Sequence, residues 1–93
     1  MRAALCLAGL ADHYAEGDGA CEAAALALAR EVAAAGPLAL RMAKAAISLG
    51  AESDLQTGLR IEDACYAQVL PTKDRLEGLQ AFAEKRRPVF TGE

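Results

Sequence analysis

Alanine fills 23 of the 93 positions of this chain, tryptophan is absent and aromatic residues reach only 4%. That bias limits the fold more than any motif does. Alanine has the highest helix propensity of the natural residues but removes little apolar area from water when buried. A chain built this way forms helices readily, and the helices gain tertiary stability only by packing closely on another surface. At this length there is room for one modest core and not for two complete domains. The expectation is a mainly α fold whose small-residue faces await a neighbouring surface.

Glycine, proline and capping residues divide the chain into about four helices with one short strand near the N-terminus. Residues 3–8 read as the end of a helix already under way, with Gly9 at its C′ position. Residues 10–14 read as the single strand, followed by the turn Glu16-Gly17-Asp18-Gly19. Asp18 caps a helix reaching to about residue 35, with Leu26 and Val32 on its apolar face. Gly36-Pro37 ends that helix and opens the next, on which Leu38, Met42, Ala45, Ala46 and Leu49 recur at helical spacing before Gly50 closes it. Asp54 caps a third helix over residues 55–69, with Leu55, Leu59, Tyr66 and Val69 along one side and Ile61 and Cys65 beside them. Gly58 there permits a close helix approach. Pro71 stops the run and Thr72 caps a fourth helix, with Asp74 in its first turn and Lys85 and Arg86 in its last. The expected buried stripe is Leu76, Leu79 and Ala83. Phe82 falls outside it, and residues 87–93 form an extended tail.

Charge and motif content exclude more than they assign. The net charge of −3, with neither half strongly basic, makes a nucleic-acid partner unexpected. Lys85, Arg86 and Arg87 form the only dense basic cluster, read on pattern as a solvated helix end favoured by the macrodipole, with a small anion site as the alternative. Cys6, Cys21 and Cys65 are odd in number and widely spaced, which points to a reducing compartment and small buried side chains rather than to a metal. Around the single histidine, His13, no Ser/His/Asp set is legible, and no glycine-rich phosphate cradle exists. Glu62 reads as a partner of Arg60 or Arg75, and Tyr66 as a core aromatic with a tethered hydroxyl. No apolar run has transmembrane length, so a soluble protein with no membrane partner is expected. No residue is matched to a catalytic role.

The second half of the chain carries a family resemblance. The run Ile61-Glu62-Asp63-Ala64-Cys65-Tyr66-Ala67-Gln68 is followed by Pro71-Thr72-Lys73-Asp74-Arg75-Leu76-Glu77-Gly78, then by Ala81-Phe82-x-Glu84-Lys85-Arg86-x-Pro88. Together these resemble the C-terminus of the enoyl-CoA hydratase/isomerase (crotonase) family. Gly36-Pro37-Leu38-Ala39-Leu40-Arg41-Met42-Ala43-Lys44 and Ala8-Gly9-Leu10-Ala11-Asp12-His13 resemble the preceding helix and strand entry.

The resemblance implies a larger enzyme, a spiral of ββα units followed by a helical region that builds trimers or dimers of trimers. Residues 1–17 would then be the end of a helix and the last strand of the crotonase core, and residues 18–93 the helical trimerisation region. It also implies an acyl-CoA thioester as substrate, no covalently bound cofactor, and location in the mitochondrial matrix or the bacterial cytoplasm. The family's catalytic glutamates and oxyanion loop would lie upstream, leaving this chain an inactive C-terminal fragment of a hydratase. A non-catalytic helical module for oligomerisation or CoA contact is the alternative. Two residues carry over from the family's last helix, where a Phe and a Lys spaced F-x-x-K approach the adenine and phosphates of CoA, often from the neighbouring subunit: here Phe82 and Lys85. On pattern alone Phe82 would be core and Lys85 solvated.

Overall fold

The computed structural model describes residues 2–93, and its elements are α1 (Arg2–Leu7), α2 (Ala20–Ala33), α3 (Pro37–Ala51), α4 (Leu55–Val69) and α5 (Lys73–Ala83). The chain divides into two compact units, one ending at Val32 and one spanning Ala33–Glu93.

In the first unit α1 ends as its glycine announces. Gly9 adopts φ 74°, its N–H donates to the Cys6 carbonyl at 3.1 Å, and the Leu10 N–H donates to the Leu5 carbonyl at 2.9 Å. This pair of bonds is the Schellman closure that satisfies the last carbonyls of a helix. The expected strand over residues 10–14 does not form, and no strand is present among the described residues. A strand is held by its ladder to a neighbour, and this chain has only one strand candidate. The Ala11 N–H turns back instead to the Leu5 carbonyl at 3.3 Å. α2 also starts differently: Gly19, at φ 73°, supplies the first helical carbonyl, accepting from the Ala23 N–H at 3.1 Å. Asp18 therefore sits one residue too early to cap it. No residue of α2 is buried.

In the second unit Gly36 caps α3 in extended conformation with Pro37 at the first helical position, where a missing N–H costs nothing. α3 runs one residue past the expected stop, and the Gly50 carbonyl then accepts from the N–H of Glu52 and from both the N–H and the hydroxyl of Ser53. Asp54 caps α4, accepting from the Thr57 N–H and hydroxyl. These two helices pack together, and at Gly58 they approach closely. A methyl added there would stand 3.5 Å from the Gly50 carbonyl oxygen and 3.6 Å from its Cα, so backbone meets backbone. The covered stripe of α4 is Gly58, Ile61, Cys65 and Val69, while Leu55, Leu59 and Tyr66 are exposed. Of the six apolar residues named for this helix, Ile61, Cys65 and Val69 lie on it. The close glycine approach sets the rotation of the helix, and the bulky side chains are left on the other flank.

At the next joint Thr72 donates its hydroxyl to the Val69 carbonyl at 2.7 Å and accepts from the Arg75 N–H at 3.2 Å, a cap of the kind that contributes about 1 kcal/mol. The buried face of α5 differs from the stripe expected on sequence. Leu76, Leu79 and Ala83 are exposed, whereas Asp74 and Ala81 are buried and Glu77 and Gly78 partly covered. The covering element is the tail, residues 87–93, which runs back antiparallel along α5. Its backbone N–H groups need acceptors, and the carboxylates on that face supply them. Asp74 accepts from the N–H groups of Thr91 and Gly92, each at 2.8 Å. The Asp74 N–H in turn donates to the Glu93 carbonyl at 2.9 Å, filling one of the donors that a helix N-terminus leaves open. The Phe90 ring lies over Gly78, and Gly92, at φ 84°, lies against Pro37.

Candidate functional site

The end of α5 holds both residues that the sequence nominated. α5 closes at Ala83, so Lys85 and Arg86 lie beyond the helix and not in its last turn as expected. The Lys85 N–H donates to the Phe82 carbonyl at 3.2 Å and the Arg86 N–H to the Ala81 carbonyl at 3.0 Å, again a Schellman closure. Here its left-handed residue is Lys85, at φ 54°. Glycine takes this position at no steric cost, whereas a residue with a Cβ is disfavoured by roughly 1–2 kcal/mol. Lys85 is the only non-glycine residue with positive φ among those described.

The chain beyond Lys85 is tied down on the helix. The Arg86 guanidinium binds Glu77 in a two-pronged geometry, Nη1 to Oε1 at 2.6 Å and Nη2 to Oε2 at 3.1 Å, and donates from Nε to Glu84 Oε2 at 2.6 Å. Glu77 Oε1 also accepts the Val89 N–H at 2.8 Å. Charge-assisted bonds of this forked kind are the strong ones. The Arg86 guanidinium, with the Val89 N–H, holds the Glu77 carboxyl well below the usual range, at about 2. Glu84 is lowered too, first by the Gln80 side chain, 2.8 Å from it, and then by Arg86. Both nearby carboxylates are thus committed elsewhere, and Lys85 has no acidic partner among the described residues.

Phe82 is 87% exposed, which overturns its reading as core. The F-x-x-K pair does not lie on one helical face, because α5 ends at Ala83 and Lys85 is left-handed. The closure bonds the Lys85 N–H to the Phe82 carbonyl, so the two exposed residues leave the chain at the same end of α5. Such a corner offers an aromatic face and a free cation to a planar, anionic ligand.

Other sequence candidates are placed apart from it. Glu62 is exposed and joins none of the ion pairs among the described residues, so the expected bridge to Arg60 or Arg75 is absent. Arg75 donates instead to the Leu70 carbonyl at 3.4 Å. Tyr66 is 60% exposed rather than core. With Met42, Ala46, Leu55 and Leu59 it lines an open, mostly apolar groove of ≈ 980 Å³ along α3 and α4. The cysteines are free, Cys21 exposed and the others half-buried, and among the described residues no cluster of metal-ligating side chains forms. Sequence reasoning missed Asp74 and Glu77 as anchors of the tail. Their signal was present as two acids three residues apart on the face that also carries Gly78 and Ala81, opposite the leucines.

Comparison with known proteins gives this corner a context. The family model described as enoyl-CoA hydratase/isomerase matches residues 8–93. The chain is 58% identical over 88 residues to the human mitochondrial methylglutaconyl-CoA hydratase, covering 91% of this chain and 26% of that protein. Among solved structures, an enoyl-CoA hydratase from Bacillus anthracis matches 77% of this chain and 28% of its own at 54% identity and a TM-score of 0.75. An enoyl-CoA hydratase/isomerase from Mycobacterium paratuberculosis matches 98% of this chain and 35% of its own at 31% identity and a TM-score of 0.88. The chain spans about a quarter of the length of the curated relatives it matches.

Proposed function

Because this chain belongs to the enoyl-CoA hydratase/isomerase family, we propose that it is the helical, coenzyme A-contacting part of an enoyl-CoA hydratase, a lyase acting on acyl-CoA thioesters, of the methylglutaconyl-CoA type. In this reading residues 1–17 belong to the edge of the catalytic core and residues 18–93 to the region that assembles subunits into a trimer or a dimer of trimers. The acid–base groups and the oxyanion loop are contributed from outside these residues. Acyl-CoA is the substrate, no cofactor is bound covalently, and the compartment is the mitochondrial matrix or the bacterial cytoplasm, in keeping with relatives of both origins.

The observation that supports the reading is an exposed Phe82 whose carbonyl is bonded to the N–H of Lys85, a lysine in none of the ion pairs among the described residues. An adenine stacks on the ring, and the CoA phosphates take the cation. Both contacts lie far from the reacting thioester and are alike in ground and transition states, so they bind uniformly and set affinity rather than turnover. The test is titration of the chain with CoA followed by amide NMR. The expected result is shifts centred on Phe82 and Lys85, and about fivefold weaker binding in Phe82→Ala and in Lys85→Ala. Raised salt should shrink the Lys85 effect more than the Phe82 effect. Crotonyl-CoA should not be hydrated by the chain alone.

A second reading, a helical module serving oligomerisation only, is favoured by the breadth of exposed apolar surface on α2 to α5. It stands if CoA leaves the spectrum unchanged while the chain self-associates.

A further inference from the structure

Lys85 occupies a strained conformation at a place where glycine would be easier, and something must hold it there. Strained backbone persists where the surroundings over-determine it, and such positions gather at binding sites. Three contacts fix the chain just past Lys85. The Arg86 N–H is bonded to the carbonyl of Ala81, which is 1% exposed. The Arg86 side chain is forked onto Glu77, one helical turn before Ala81 on the same face of α5. The same Glu77 oxygen that receives Arg86 also receives the Val89 N–H. Chain direction is therefore pinned on both sides of the bend, at Ala81–Phe82 before it and at Arg86–Val89 after it. Arg86 additionally draws Glu84, the acidic neighbour of Lys85, into its own pair, so one guanidinium settles both the backbone of Lys85 and the freedom of its charge.

We propose that the Glu77–Arg86 clamp is the positioning element of the coenzyme A corner: it holds Lys85 left-handed beside Phe82 and removes Glu84 as a competitor, presenting an ammonium pre-set for the CoA phosphates. Glu77 and Arg86 are positioning residues that act through Lys85. The inference rests on Phe82 and Lys85 being the residues that contact CoA. Pre-organisation of this kind raises affinity by lowering the ordering cost of the contact.

A thermodynamic cycle on the full 93-residue chain tests it, with CoA as the probe. Glu77→Ala, which keeps a strong helix former at that position, should weaken CoA about fivefold, and Glu77→Gln, which retains an acceptor oxygen for the Val89 N–H, should fall between it and the parent. In a Lys85→Ala background Glu77→Ala should cost nothing further, because a residue acting through another shows no independent effect once that other is gone. The Lys85 three-bond HN–Hα coupling, which reads φ directly, should leave its left-handed value in Glu77→Ala without any ligand present. Asp74→Asn, which loosens the far end of the tail, should change neither the coupling nor CoA affinity. Equal losses for Glu77→Ala with and without Lys85, or an unaltered coupling and affinity in Glu77→Ala, overturn the clamp while leaving the CoA corner standing. If Phe82→Ala and Lys85→Ala themselves leave affinity untouched, the corner falls and the clamp's role falls with it.

Discussion

Replacing Lys85 by glycine relieves the left-handed strain while deleting the charge, so stability and ligand affinity should move in opposite directions. Lys85→Gly is expected to favour the closed turn by about 1 kcal/mol, read as slower hydrogen exchange of the Arg86 amide that bonds the Ala81 carbonyl. Lys85→Ala, which keeps the Cβ that causes the strain, should show no such gain. Glu77 supplies a pH prediction whose sign follows from its lowered pKa. A carboxylate held below its ordinary value of 4.5 adds stability that is fully present above that pH and lost as pH falls toward about 2. The Val89 amide proton, bonded to Glu77, should therefore keep its shift from neutral pH down to about pH 4.5 and move with an inflection near 2. An inflection at ordinary carboxylate pH would show the clamp open in solution. At this scale the caps Thr72 and Asp54 and the stop at Gly9 were legible, because each acts on neighbours three to five residues away. Glu77 and Asp74 were not, since their partners lie 9 to 18 residues on.

Among the elements, α5 with its tail is the one whose packing runs against hydrophobic pattern. The leucine stripe is left uncovered and the acidic stripe is used, because the segment that lies along α5 brings backbone N–H donors, which Asp74 and Glu77 accept. Asp74→Ala is expected to cost about 2–3 kcal/mol by leaving the Thr91 and Gly92 amides without their charged acceptor in a covered position. Hydrogen exchange at those two amides should accelerate with it, while exchange in the α3–α4 pair stays as it was; protection retained at both amides would show the tail to be held by Glu77, Phe90 and Glu93 without Asp74. The α3–α4 pair illustrates the converse. Gly58 was recognised as a close approach from sequence, yet the helix face was not. Apolar residues occur on two flanks of α4, Leu55, Leu59 and Tyr66 on one and Ile61, Cys65 and Val69 on the other, and the approach of Gly50 to Gly58 accompanies partial burial of the second.

For the molecule as a whole, the balance between covered and exposed apolar groups is unusual for a chain that stands alone. Ala81 is the only buried hydrophobic residue among those described, while seventeen large apolar side chains are exposed. So little burial weakens the cooperativity of unfolding. As a dilute monomer the chain should melt broadly, and its midpoint should rise with concentration as those faces pair. A sharp two-state melt of a verified monomer would contradict this. The helices, their order and most of their ends were determined by the sequence alone, since propensity, proline, glycine and capping side chains act locally. The family was readable too, because its motifs are contiguous in α4 and α5. Tertiary structure alone decided that residues 10–14 make no strand, that α5 buries its acids, and that Lys85 leaves the helix to sit left-handed beside an exposed Phe82. Each of these depends on which groups meet across the fold, and spacing along the chain does not encode such meetings.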